Sequence, residues 1–214
     1  MFHLKEMLVW EESMRLTKEI ALQFAKESIE RHKRPEYPFR SRYRHTLRVL
    51  MWAQRLQKEV GGDLDILTYS AILHDCAWNG KENHAIVSYR VAKDFLDGFE
   101  LNEEFKYKVL EGVLHHNQND TEGLCKESYI LMDADELDEV GAVCIFWDAL
   151  AENHENAEVS YKSALLRIKK YLPKLYNNLP KFHFDWALDV YKRKLNFMEQ
   201  FVLEAEEELE VELV

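Results

Sequence analysis

His74 and Asp75 stand side by side at the end of the apolar run YSAILHD. A buried imidazole and carboxylate need partners, and a divalent cation satisfies both with one nitrogen and one oxygen ligand. The competing reading is a helix end at which the His meets a carbonyl and the Asp meets backbone N–H groups. His45 lies in the preceding helical segment, RYRHTLRV, where packing of two helices would bring it beside His74. Asp133 and Asp135 interrupt a second apolar run, YILMDADELDEVGAV. Asp135 and Asp138, three apart, share a helical face, whereas Asp133 and Asp135 do not. Those two are therefore not expected to point at one ion equally well, and the alternative for Asp133 is a supporting or capping role. Five of the nine histidines, His45, His74, His84, His115 and His116, fall in this part of the chain, mostly near predicted helix ends. Mixed His and carboxylate ligation suits Mn²⁺, Fe²⁺, Zn²⁺ or Co²⁺ and argues against a Ca²⁺-only site.

The elements that must position these groups are helical. Seven Gly and four Pro in 214 residues leave little for a turn-rich β fold, and apolar residues recur at three and four nearly throughout. The pattern predicts a helix from Leu4 to about Ile29, then a basic, proline-containing connector from Arg31 to Arg40. A second helix is expected from Arg42 to Val60, with Leu47, Leu50, Ala53 and Leu56 on its buried side. Gly61-Gly62 ends it, and Asp63 or Asp65 caps the next, from Ile66 to about His74. Asn83 caps a helix through Leu96 that Asp97-Gly98 closes, and another runs from Asn102 to about His116. After a polar loop, 117–123, helices are expected over 127–147 and 156–172, Gly141 weakening the pattern of the first. Pro173 and Pro180 bracket a last linker before a helix over 182–208 with an acidic tail. One all-α domain over 1–214 is the expectation. The last helix has enough apolar residues for either a homodimer interface or the monomer core.

Lys plus Arg number 28 against 39 Asp plus Glu, a net charge of −11. Broad capture of nucleic acid or an anionic membrane is disfavoured, while a small phosphate compound remains open because a bound cation reverses the local field. No apolar stretch reaches the roughly 20 residues of a membrane span, and the charged N-terminus does not read as a secretory signal. Cys76, Cys125 and Cys144 are too few and too scattered for a disulfide framework. A cytoplasmic protein is expected.

Taken in order, HTLRV at His45, YSAILHD at Asp75, KENHA at His84, EGVLHHN at His115-His116 and DADELDEVGA at 133–142 resemble the HD-domain metal-dependent phosphohydrolase superfamily. The last motif is similar to that of a subgroup of small HD hydrolases with a DADxLDxxG signature. The resemblance spans about residues 40–150 and implies an HD-type helical bundle around a metal site. It implies His45, His74, Asp75 and Asp135 as ligands of the principal ion, Asp135 being chosen over Asp133 for its ADxL context. His84 and His116 fall where relatives place histidines that bind a second ion or contact phosphate. Asp75 would also orient the attacking water, and Lys81, Arg44 or Arg48 would neutralise phosphate charge. The implied cofactor is Mn, Fe, Zn, Co, Ni or Mg, as one ion or two, with manganese a prime case. The implied reaction is hydrolysis of a phosphate ester or anhydride in a nucleotide or small phosphorylated metabolite.

Two departures bear on substrate contacts. Many relatives carry Ser-His-Asp-Trp before the first His, where this chain has Arg42-Tyr43-Arg44. Some also carry an acidic pair after the HD pair, where CAWNGKEN offers only Glu82. Loops 78–83 and 117–123 are expected to border the pocket. Trp78 or Tyr43 could stack on a base, core packing being the other role for Trp78. The rival readings are a non-catalytic metal- or nucleotide-binding module, a helical scaffold with structural histidines, and an iron-dependent oxygenase.

Overall fold

Side-chain caps set most of the helix starts. In the computed structural model, which describes residues 15–32, 37, 39–118 and 122–213, Thr17 caps α1 (Lys18–Arg31) and Ser41 caps α2 (Arg42–Val60). Asp63 caps α3 (Leu64–Leu73), Asn83 caps α4 (His84–Leu96) and Asn102 caps α5 (Glu103–His115). α6 (Lys126–Asp138), α7 (Ala142–Glu155), α8 (Tyr161–Tyr176) and α9 (Asp185–Glu208) follow, with a 3-10 turn at Leu179–Lys181 and a last short helix, α10 (Glu210–Leu213). Among the described residues there is no strand. None of their helices is long and apolar enough to cross a membrane.

Of the three helices without a side-chain cap of their own, α6, α7 and α9, the first and last borrow a carboxylate from a neighbour. Glu111 on α5 accepts from the Cys125 amide at 2.7 Å and from Ser128 Oγ at 2.9 Å, closing the start of α6. Asp133 on α6 accepts from the Phe184 amide at 3.0 Å and so caps α9. These bonds satisfy N–H groups that a helix start leaves open.

α2 packs against α3 and α6, α3 against α5, and α5 against α4 and α6. α7, α8 and α9 stack in turn, and α9 returns to α6 and α2. A single hydrophobic core runs through all of these layers from Leu16 to Val202. α3 is apolar all round and sits inside this stack, with seven of its ten residues buried. Its C-terminal end therefore delivers His74 and Asp75 to the centre of the molecule. Gly112 lets α5 close on α3, since a Cβ there would meet the Ser70 side chain at 3.1 Å. That approach brings His116 beside His74, with ring centroids 5.0 Å apart.

Several expectations need correction. The expected segment 127–147 is two helices, because Gly141 takes φ 90°, a left-handed value that breaks the helix. The 156–172 helix starts at Tyr161 and runs on to Tyr176, so Pro173 lies inside it rather than starting a linker. Pro173 and Lys169, whose carbonyl it leaves without a helix partner, are both exposed residues, and buried Leu175 anchors the turn. Leu47 is 38% exposed, because the buried face of α2 runs through Val49, Leu50, Ala53 and Leu56. Residues 4–14 of the expected first helix lie outside the described residues.

Candidate metal centre

Three histidines in the core have one ring nitrogen committed and the other turned toward carboxylates. His74 caps the C-terminal end of α3, is fully buried, and its Nδ1–H donates to the Ala71 carbonyl at 2.7 Å. His116 does the same at the end of α5, donating to the Val113 carbonyl at 2.8 Å. On α2, His45 donates from Nδ1 to Asp138 Oδ2 at 2.7 Å. Each bond holds a proton on Nδ1, so that Nε2 is the nitrogen left with a lone pair whenever the ring is neutral.

Those Nε2 atoms gather in two adjoining groups, His45, His74 and Asp135 in one, Asp75, His84 and His116 in the other, each with its ligand atoms within 4.8 Å of one another. His45 Nε2 lies 3.1 Å from Asp135 Oδ1 and 3.4 Å from His74 Nε2. His84 Nε2 lies 3.3 Å from Asp75 Oδ1 and 3.1 Å from His116 Nε2. The Asp75 carboxylate spans both groups, since its Oδ2 sits 3.8 Å from His45 Nε2 and pairs with Arg42. Asp75 Oδ1 and Asp135 Oδ1 are buried and accept no aligned hydrogen bond. Two orphaned carboxylate oxygens among convergent imidazole nitrogens match what a divalent transition metal needs.

The electrostatics agree with that fit. Burial holds His74 and His116 below the ordinary imidazole pKa, so both are neutral and able to donate a lone pair. Burial also opposes charge on His45, yet the adjacent carboxylates of Asp135 and Asp138 lift it to about 10. For Asp75, burial works toward protonation, but the Arg42 guanidinium and the charged His45 ring hold the carboxyl well below its usual range. Asp135 is held down against burial in the same way, chiefly by His45.

The structure thus brings together His45, His74, Asp75, His84, His116 and Asp135. Asp133 turns away, bound to His183 and Phe184. Arg48 is committed to Asp138 through Nε at 2.7 Å and Nη2 at 2.8 Å. Arg44 and Lys81 are exposed, and no ion pair joins Lys81 to the histidines or carboxylates, its amide instead bonding Asn79 Oδ1 at 3.0 Å. His115 pairs with Gln118 at 2.8 Å, while Trp78 and Tyr43 are half-buried.

Two participants were not assigned from the sequence. Asp138 orients His45, for which its spacing from Asp135 was a usable signal. Arg42 meets Asp75 across 33 positions, for which no local signal exists. Because Asp138 fixes the His45 tautomer, Asp138→Asn should weaken Mn²⁺ binding about 10- to 100-fold while the chain stays folded, as read by calorimetric titration and circular dichroism.

A family model for the HD domain matches residues 42–139. No curated protein matches the chain. Among solved structures, it is similar to an HD-superfamily hydrolase from Bacillus thuringiensis, with TM-score 0.71 and 21% identity over 90% of this chain and 96% of that one. It is also similar to Bacillus subtilis YpgQ in complex with ADP, with TM-score 0.66 and 19% identity over 89% and 94%. A third is a predicted HD superfamily hydrolase from an uncultured Thermotogales bacterium, with TM-score 0.62 and 21% identity over 97% and 99%. At these identities the likeness speaks to the fold. The segment that matches the HD domain, residues 42–139, holds all six of the site residues.

Proposed function

We propose that the protein is a divalent-metal-dependent phosphohydrolase acting on a nucleotide or small phosphorylated metabolite. The carrying observation is the pair of buried, unpartnered oxygens on Asp75 and Asp135, set among Nε2 atoms whose rings are already fixed at Nδ1. His45, His74, Asp75 and Asp135 hold the principal ion in this reading. His84 and His116 hold a second ion or meet the phosphate, with Asp75 shared between the two groups. A bound ion supplies positive charge that polarises a phosphoryl group and makes water more acidic.

The chain's own residues do the rest. The buried histidines keep their donor tautomers through carbonyl and carboxylate bonds. Asp75 is ionised and able to accept a proton-bearing water at the edge of the cluster. His84, at 26% exposure, and Asp135, at 22%, mark the open side where a substrate would enter. Nucleotides lead the substrate list because the structurally similar YpgQ is in complex with ADP, and because a net charge of −11 disfavours long nucleic acids.

The test is elemental analysis of protein purified without chelator, then Mn²⁺ titration at several pH values. One or two ions per chain are expected. An ion at His45 Nε2 displaces a proton held up to a pKa of about 10, so affinity should rise with pH below that value, approaching tenfold per unit. The ion-free chain has the opposite trend in stability. A raised folded-state pKa contributes stability fully present below the ordinary value near 6.5 and lost as pH rises through about 10. No metal in the purified protein and no Mn²⁺ uptake on titration would overturn the reading.

A further inference from the structure

The six residues gathered at the centre include no permanent cation, yet a phosphoryl group carries negative charge that such a site must meet. Among the described residues, Arg42 is the one Lys or Arg in ion-pair contact with any of the six, through Nη1 to Asp75 Oδ2. Arg44 and Lys81 are exposed, and the remaining nearby cations are occupied elsewhere. Arg48 forks onto Asp138, Arg40 holds Glu139 at 3.1 Å, and Lys181 lies 3.6 Å from Glu136. Arg90 bonds Glu82 on the exposed turn before α4.

Arg42 is placed differently. It is the first residue of α2, one turn before His45 and on the same face. Its side chain is 15% exposed against 6% for Asp75, so it stands between the buried carboxylate and the surface. One nitrogen is engaged, and among the described residues no hydrogen bond occupies Nε or Nη2. A guanidinium presents its donors in a rigid fork that matches phosphate geometry, so the uncommitted edge is a ready anion contact.

We propose that Arg42 binds the substrate's phosphoryl group, with Asp75 holding the guanidinium at the edge of the metal site. The inference rests on the metal-dependent reading above. It gives Arg42 the charge-neutralising role that the sequence suggested for Lys81, Arg44 or Arg48. It also separates Arg42 from the ion's ligands: a guanidinium on Asp75 Oδ2 opposes a cation there, so its removal should leave ion binding intact or tighter.

The test is calorimetry on wild type, Arg42→Ala and Arg42→Gln, first with Mn²⁺ and then with inorganic phosphate added to Mn²⁺-loaded protein. Both variants are expected to bind Mn²⁺ at least as tightly as wild type and phosphate about 10- to 100-fold more weakly. The Gln variant keeps the length of the side chain's stem, so it serves if the Ala variant does not fold. Weakened Mn²⁺ binding with phosphate affinity unchanged would overturn the inference, because Arg42 would then be only a clamp on Asp75. A wild-type chain that loads no Mn²⁺ would overturn the metal-site reading, and this inference with it. A wild type that loads Mn²⁺ while the variants bind phosphate normally would overturn this inference alone.

Discussion

Replacing His74 with Ala should remove bound metal and hydrolysis together. His74 is fully buried at the end of α3, and its Nε2 lies 3.4 Å from His45 Nε2 and 3.9 Å from Asp135 Oδ1. Losing it strips one donor and leaves two carboxylates facing one fewer imidazole. Loss of a supporting partner alone costs about 10- to 100-fold in metal affinity, so loss of a ligand should exceed that. If the ion contributes several kcal/mol to the reaction, at about 1.4 kcal/mol per tenfold, turnover should fall by about 10³ or more. The Ala variant also opens a cavity, at a cost of roughly 2–4 kcal/mol by analogy with other large-to-small core changes, so instability alone could mimic the result. Asp75→Asn removes that ambiguity because it keeps the shape. It loses one carboxylate oxygen from a group that spans both halves of the site and should show the same joint loss. Stoichiometric metal with normal turnover in a folded variant of either kind would sink the assignment.

How far the sequence could reach this site depends on the range of each interaction. Gly61 marks the end of α2 locally, and the helix runs over the expected Arg42–Val60. His74-Asp75 stood out because a helix otherwise apolar all round has no packing use for either group. The break at Gly141 was visible as a weakness but not as a stop, since a glycine's positive φ is imposed by the chain around it. Pro173 misled for a related reason: whether a proline ends a helix depends on which face its freed carbonyl meets. The least legible features are side chains that act across the fold. Glu111 capping α6, Asp138 steering His45 and Arg42 meeting Asp75 have no spacing rule, because they exist only after α2, α3, α5 and α6 have packed. The family resemblance supplied the ligand candidates, while the carbonyl and carboxylate bonds at Nδ1 are what give each ring its donor direction.

Asp133 and Asp135 should separate cleanly on mutation, although they lie two residues apart on α6. The helix turns them to different faces, and the structure gives each a distinct employer. Asp133 is 1% exposed and accepts from the His183 amide at 3.0 Å, from His183 Nδ1 at 2.9 Å and from the Phe184 amide at 3.0 Å. Asp133→Ala leaves those amides without their acceptor and α9 without its cap, at about 3 kcal/mol in all. For a chain of this length that is roughly a 6–12 °C fall in Tm, with stoichiometric metal retained. Asp135 has its Oδ1 unpartnered among His45 and His74, so Asp135→Ala forfeits no aligned hydrogen bond at that oxygen. Its Mn²⁺ affinity should instead drop more than about 100-fold, with a smaller change in ion-free Tm than Asp133→Ala causes. Differential scanning calorimetry of both ion-free variants, beside Mn²⁺ titration of each, reads the two effects separately. The reverse pattern, with Asp133→Ala losing metal and Asp135→Ala losing stability, would mean that the other carboxylate serves the ion and that the register of this motif is wrong.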